Sequence, residues 1–378
     1  MLILGILIGL IVLVLLVSVH ELGHAIVARR NGVVVEEFGI GFPPRAWAKK
    51  LKNGILFSLN WLPIGGFVKL QGEHDAANKK GDYGAATFWQ KTKILLAGVA
   101  VNWIVAVILL MALAWTTGIP KIISNQFSVV GDTTIVASPV QLGALVEDYP
   151  AEKAGLEQGD VIRSIAGEDV NETVQFVDAT KEHRGETVPI VFERDGEQKT
   201  TQVALRDTET ATFGASLGQQ QTMKATWSAP ITAVATTGQF TWVTIEGLGS
   251  LVYNFFGGLF GQLSIDEGTR ERASEQLGEA GASVAGPVGI LGVIFPAASE
   301  AGPAQIVFLA AIISLTLAVM NALPIPALDG GRWFVTAVFR VLKKPLTKDT
   351  EERIHGTGFM LLLLLIVVIT VADVIKLF

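Results

Sequence analysis

V-H-E-L-G-H-A, residues 19–25, closes an apolar run that begins at Leu2, and the organisation of the chain follows from how that stretch is read. His20 and His24 are four residues apart, so on an α-helix both imidazoles project from one face, one turn apart, and can grip a single metal ion. In the pattern H-E-x-x-H the two histidines are zinc ligands, and the glutamate, here Glu21, is the general base that takes a proton from the attacking water. So short a pattern recurs by chance, and its setting has to supply the weight. Between Leu2 and Val19 stand only apolar residues, glycine and one serine. The ionisable groups therefore arrive where hydrocarbon is expected, and a charge at mid-membrane costs about 2.5–3.5 kcal/mol, which marks such groups as functional. The competing reading, two histidines capping a membrane helix at the interface, leaves Glu21 without a purpose.

Composition agrees with a membrane setting. Half of the 378 residues are hydrophobic and the mean hydropathy is +0.48, too apolar for an ordinary soluble domain. There is no cysteine, which excludes a disulfide framework and a thiolate metal site, so zinc has to be held by histidine and carboxylate. The net charge of -6 conceals an asymmetry: Arg29 to Lys93 is rich in Lys and Arg, whereas Lys121 to Glu300 is acidic. The basic residues flank apolar segments, as the positive-inside rule requires, and nothing points to nucleic acid. Residues 1–30 have neither a basic leading region nor a small-residue cleavage site, and are expected to remain as a first transmembrane helix. That helix ends at Arg29-Arg30, which predicts an N-terminus outside and His24 toward the cytoplasm.

Residues 31–93 form a cytoplasmic region in which 55–70, I-L-F-S-L-N-W-L-P-I-G-G-F-V-K-L, is rich in β-formers and is broken by Pro63 and Gly65-Gly66 into two short strands. The expectation is a membrane-associated hairpin beside the active site, since non-helical backbone at that depth must be buried or line a wet cavity. Its competitor is a surface hairpin. A second span covers 94–118; the Asn102 within it is read as a helix–helix hydrogen bond rather than a ligand. An acidic, soluble-looking domain follows at 122–207, in which Asp195-Gly196 joins two alternating strands. Residues 224–263 read as an interfacial amphipathic helix and 264–303 as a linker carrying G-P-V-G-I. The third span and its continuation occupy 304–332. Pro324 and Pro326 must break that helix, leaving Asp329 and Gly330-Gly331 in unwound backbone. A basic segment, 333–355, returns to the cytoplasmic side, and 356–378 is the fourth span.

This topology carries Asp329 to the membrane face that holds Glu21. Catalytic zinc takes three protein ligands and keeps a position open, so Asp329 is the best candidate to join His20 and His24, ahead of His74. An aspartate that simply turns the chain before Gly-Gly is the alternative.

Two resemblances sharpen the expectations. The stretch Pro150, Ala151, Ala154, Gly155, Leu156, Gly159, Asp160, Ile162 resembles a PDZ domain, with Tyr149 in place of the usual serine. Such domains add a peptide C-terminus or extended segment to a sheet edge. The whole chain resembles the site-2 protease family of intramembrane zinc metalloproteases, closest to the bacterial regulator-of-sigma-E protease type. H-E-L-G-H-A at 20–25, N-A-L-P-I-P-A-L-D-G-G at 321–331, P-I-G-G-F-V-K at 63–69 and G-P-V-G-I at 286–290 carry the likeness. Val99 follows Gly98 where the family often has proline. The implied fold is a multi-pass α-helical membrane protein of about four transmembrane helices, with a re-entrant β-hairpin and an inserted α+β PDZ domain. The implied site is His20, His24 and Asp329 on Zn2+, with Glu21 as base, Asn321 on the substrate or oxyanion, and Gly65, Gly66, Phe67 and Val68 on the substrate. Single-pass membrane proteins in the bacterial inner membrane are the implied substrates, with PDZ domain and both termini extracytoplasmic. Two other classes stay open: a membrane chaperone or scaffold working through the PDZ domain without catalysis, and a transporter using the broken third helix, although the chain shows no inverted repeat.

Overall fold

Leu2–Arg30 folds as one helix, α1, whose apolar residues surround it on all sides, so hydrophobicity cannot choose its inner face. Small and polar residues choose it instead: Gly5, Gly9, Gly23, Ala25 and Ala28 are buried with His20 and His24, while Leu7, Ile11, Leu15, Leu22 and Ile26 stay exposed. This is how helices pack where lipid is as apolar as leucine. Gly32, at φ +82°, ends the helix after Arg29-Arg30. The computed structural model describes residues 2–208, 212–264 and 266–377. Among these, four helices are long and apolar enough to cross a membrane, over Leu2–Arg30, Phe88–Trp115, Pro303–Ala322 and Lys348–Ile375. The chain divides into two compact units, Met1–Leu113 with Pro230–Phe378, and Ala114–Ala229.

After α1 come strands β1 (Val35–Lys50) and β2 (Leu56–Leu70), then helix α2 (Phe88–Trp115). The two halves of β2 were expected to pair with each other, and they do not. Residues 66–70 run antiparallel to 35–40, residues 56–60 run antiparallel to 45–50, and 37–40 also lies beside 56–59. The result is a sheet of four short tracts with 66–70 on one edge. Gly41, at φ +78°, makes the bend in β1, and Asn60 Nδ2 ties the carbonyls of Ile40 and Gly41 at 3.2 Å each. Val35, Ile55 and Leu70 bury one side of the sheet with Ala25, Ala28, Ile94 and Leu95. At the far end Phe42, Trp47, Trp61 and Leu62 are exposed.

The second unit contains β3 (Ile119–Pro120), β4 (Thr134–Ala137), β5 (Gln141–Leu145), helix α3 (Pro150–Lys153), β6 (Val161–Ile165), β7 (Glu168–Asp169), helix α4 (Thr173–Glu182), β8 (Thr187–Arg194), β9 (Glu197–Ala204), β10 (Ala215–Gly218) and β11 (Gln221–Lys224). One sheet runs β10-β5-β6-β8-β9 with β7 on β6, and a smaller one runs β3-β11-β4. Strand alternation places Val188, Ile190 and Phe192 inward against Ile162, Ile165 and Phe176. Asp195 and Gly196 turn β8 into β9 at φ +55° and +80°, the left-handed pair that a two-residue hairpin loop needs.

Asp160, almost fully buried, is held by both Arg194 Nε and Nη2 at 2.7 Å and by the Glu157 N–H at 2.8 Å. Burial pushes its carboxyl up, but the Arg194 guanidinium and that N–H more than reverse the effect and hold it below the ordinary carboxylate range. Its support is therefore complete above the ordinary pKa of about 4 and fades only as pH falls through the lowered value. Asp160→Ala is expected to speed amide exchange in β6 and β8 of the full chain by about tenfold or more. Unchanged protection would show that the clamp is dispensable.

The first unit resumes with α5 (Ala229–Gly261), a single helix of 33 residues, and α6 (Glu267–Ala282). The stretch expected as a linker is thus largely helical. Asp266 caps α6 by accepting from the Thr269 N–H at 2.9 Å, and its Glu, Arg, Ala, Gln and Leu residues favour helix despite three glycines, whereas its charges suggested a linker. Ala273 of α6 sits where a Cβ on Gly261 of α5 would come within 2.7 Å. Then α7 (Pro287–Gly289), a π-turn at Ile290–Ile294 and α8 (Phe295–Ala301) lead into α9 (Pro303–Ala322). Finally come α10 (Asp329–Val341) and α11 (Lys348–Leu377).

Candidate metal centre

Asp329 opens α10 instead of lying in unwound backbone, which corrects the expectation for it. Pro324 and Pro326 do end α9, but the irregular stretch is only 323–328, with Ala327 at φ +83°. Helix resumes at Asp329 because Gly330 and Gly331 let it press against the carbonyls of Ala322, Leu323 and Ile325, where a Cβ would overlap them. A carboxylate in the first turn also suits the positive end of the helix.

Across 309 residues, Asp329 Oδ2 lies 3.0 Å from His20 Nε2 and 3.1 Å from His24 Nε2, and the two Nε2 atoms are 3.1 Å apart. Both histidines are 6% exposed. Three donor atoms facing one point suit zinc: ligand bonds of about 2.0–2.1 Å in a tetrahedron separate donors by about 3.3 Å, close to the spacing here. The surroundings also keep that space open. A Cβ on Gly98 of α2 would lie 2.5 Å from His20 Cε1 and 2.5 Å from His24 Nε2. His24 Nδ1 donates to the Ile94 carbonyl at 2.7 Å, which fixes its tautomer so that Nε2 keeps a free lone pair.

Glu21 does not join the cluster. Its Oε2 accepts the Val68 N–H at 2.9 Å, so the carboxylate is held against the edge tract 66–70. Gly66 pairs with Ile40, and a Cβ there would come within 3.0 Å of the Gly39 carbonyl; Phe67 stacks near Phe42, with centroids 6.4 Å apart. Gly65, at φ +153°, packs on Phe42. Asn321, in the last turn of α9, donates back to the Leu317 carbonyl at 3.0 Å. His74 stands 3.7 Å from Glu352, and the metal-type group among the described residues is completed by Asp329. His183 pairs with Glu186 at 2.8 Å.

Sequence reasoning missed two contributors. One is Gly98, whose missing side chain leaves room for the imidazoles. The other is Asn102, one helical turn later on the same face of α2. Its side chain makes the expected helix–helix contact, with Nδ2 3.3 Å from His20 Nδ1 on α1, and its main-chain carbonyl accepts from Ser314 Oγ of α9 at 2.9 Å; what the sequence did not show is that the partner is a histidine of the metal cluster. The i, i+4 pair of a glycine and an amide in an apolar helix was the available signal.

Two imidazoles and a carboxylate converging on one point, with the Glu21 carboxylate next to His20 in the chain, are the equipment of a zinc peptidase; the imidazoles and Glu21 sit on a membrane-length helix and Asp329 on the short helix α10. The profile of peptidase family M50 matches residues 8–365, and the chain belongs to that family. It is similar to the zinc metalloprotease RasP of Bacillus licheniformis, 27% identical with 96% of this chain and 97% of the relative covered. The regulator of sigma-W protease RasP of Bacillus subtilis is 26% identical, with 96% of each covered. A Clostridium perfringens chain is 30% identical over 360 residues, 95% of each. The PDZ domain of the SdrC-like protein from Listeria monocytogenes aligns with 24% of this chain at 22% identity and a TM-score of 0.19, too low to carry an argument. The chain is a zinc metalloprotease of the membrane, and Zn2+ is its cofactor.

Proposed function

We propose that the chain hydrolyses peptide bonds inside the transmembrane segments of single-pass membrane proteins, with His20, His24 and Asp329 holding Zn2+ and Glu21 as general base. The observation that carries this is that Glu21, next to the cluster residue His20 in the chain, is hydrogen-bonded to the sheet edge at 66–70. Zn2+ supplies Lewis acidity to the attacking water and the scissile carbonyl. Glu21 accepts the water proton and delivers it to the leaving amine nitrogen. A helical substrate hides its carbonyls in internal hydrogen bonds and has to be unwound first. Tract 66–70 has a strand neighbour on one side only, and its other side faces Glu21, so an unwound segment added there as a strand lies beside the donors. Gly65 and Gly66 keep that edge free of side chains, Phe67 and Val68 flank the added segment, and Asn321 contacts the substrate or its oxyanion. Exposed Phe42, Trp47, Trp61 and Leu62 at the far end favour a sheet that dips into the bilayer.

The Lys and Arg distribution supports a bacterial inner-membrane protein with the metal centre toward the cytoplasm and both termini outside. Residues 122–207, read as an extracytoplasmic PDZ domain and lying within the unit Ala114–Ala229, bind a peptide C-terminus or extended segment and select substrates. Purified protein with a single-pass substrate tests the reading. Phenanthroline should abolish cleavage, Zn2+ should restore it, and mass spectrometry should place the new ends within the apolar segment. Ends mapped only outside that segment would defeat the intramembrane reading.

A further inference from the structure

The side chain of Asn102 is fully buried in α2, with Nδ2 3.3 Å from His20 Nδ1 and, among the described residues, Oδ1 without a hydrogen-bond partner. A buried amide oxygen left unpaired has given up its water without a replacement, which calls for a donor. The chemistry of His20 supplies one. Its Nε2 points at Asp329 and His24. When Nε2 gives its lone pair to a metal, the neutral ring carries its proton on Nδ1, which then has to find an acceptor. A carboxamide has the same shape at both ends, so turning it over presents Oδ1 to that proton and satisfies both groups at once.

We propose that Asn102 is a positioning residue of the metal centre: its side-chain oxygen receives the Nδ1 proton of His20 and holds that imidazole in the tautomer that presents Nε2 to zinc. This rests on His20 being a zinc ligand. The amide serves both states of the ring. When Nε2 carries the proton, Nδ1 accepts from Nδ2; when Nε2 gives its lone pair to zinc, Nδ1–H donates to Oδ1. The anchoring of Asn102 to α9 is separate, because Ser314 bonds its main-chain carbonyl, so a side-chain substitution removes the contact to His20 and leaves that link intact. His24 receives the equivalent support from the Ile94 carbonyl, a fixed acceptor with no need to turn.

The test is zinc affinity, measured by competition with a chromophoric chelator, with the nitrogen-15 signals of the His20 ring as a second readout. Asn102→Leu keeps the bulk and removes the acceptor, and its affinity should fall about 10–100-fold. Asn102→Asp retains an accepting oxygen and should bind zinc about as tightly as wild type. In the metal-free proteins the wild-type His20 signals should report the Nε2–H tautomer, and Asn102→Asp should shift them toward Nδ1–H. If Asn102→Leu does not fold, Asn102→Ala takes its place against Asp in the same comparison. Equal zinc affinity for wild type and the apolar variant, or an Asp variant as weak as the apolar one, overturns the proposal. His20→Ala separates the two levels: if it keeps full zinc affinity, the ligand assignment itself fails, whereas if it loses zinc while Asn102→Leu does not, only the role of Asn102 fails.

Discussion

Glu21→Gln is expected to keep its zinc and to lose turnover by about 10²–10⁴-fold, the span over which a positioned base contributes. The substitution is nearly isosteric. The amide oxygen of glutamine can still accept the Val68 N–H that now reaches Glu21 Oε2 at 2.9 Å, so the carboxamide takes the same place beside tract 66–70. His20, His24 and Asp329 are untouched, and metal content should match the wild type. What disappears is the capacity to take a proton from water and return it to the leaving nitrogen. Zinc content by atomic absorption and cleavage of one transmembrane substrate, measured on the same preparation, separate the two effects. Wild-type turnover in the variant would falsify the assignment of Glu21 as base, and a parallel loss of zinc would recast it as a ligand.

Gly98→Ala is expected to weaken zinc binding by more than about 10²-fold, with activity falling alongside, although the substituted atom belongs to no ligand and carries no charge. The new methyl would sit 2.5 Å from His20 Cε1, 2.6 Å from His20 Nε2 and 2.5 Å from His24 Nε2. Either the imidazoles turn away from Asp329, or α2 retreats from α1. Retreat is no remedy, because the Ile94 carbonyl that orients His24 sits on the same helix, one turn before Gly98. Gly23 closes another route: on the facing side of α1 a Cβ would already lie 2.9 Å from the Ala97 carbonyl, so the two backbones are in close contact there. Chelator competition on Gly98→Ala and Glu21→Gln side by side should give opposite patterns, zinc lost in the first and kept in the second. Tight zinc binding by Gly98→Ala would mean that the helices separate more easily than this packing implies.

The sequence by itself determined the features that rest on local geometry. The four-residue spacing of His20 and His24 places both rings on one helix face wherever that helix lies, and long uncharged apolar runs become helices because no other open structure satisfies its backbone in lipid. Asp195-Gly196 made the β8–β9 turn legible because only a left-handed residue pair closes so short a loop. Tertiary structure decided the rest. The sequence brought Asp329 to the right membrane face and made it the candidate third ligand, but that it reaches His20 from the first turn of a new helix depends on Gly330 and Gly331 admitting the carbonyls of the broken stretch. The partner of residues 56–70 was hidden because β1, with its charges and Pro43-Pro44, has the composition of a loop. The partners of Gly98 and Asn102 were hidden for a deeper reason: in a membrane helix the lipid-facing and protein-facing sides are equally apolar, so hydrophobic periodicity does not record what an inward glycine or amide meets, and only the packed neighbours reveal it.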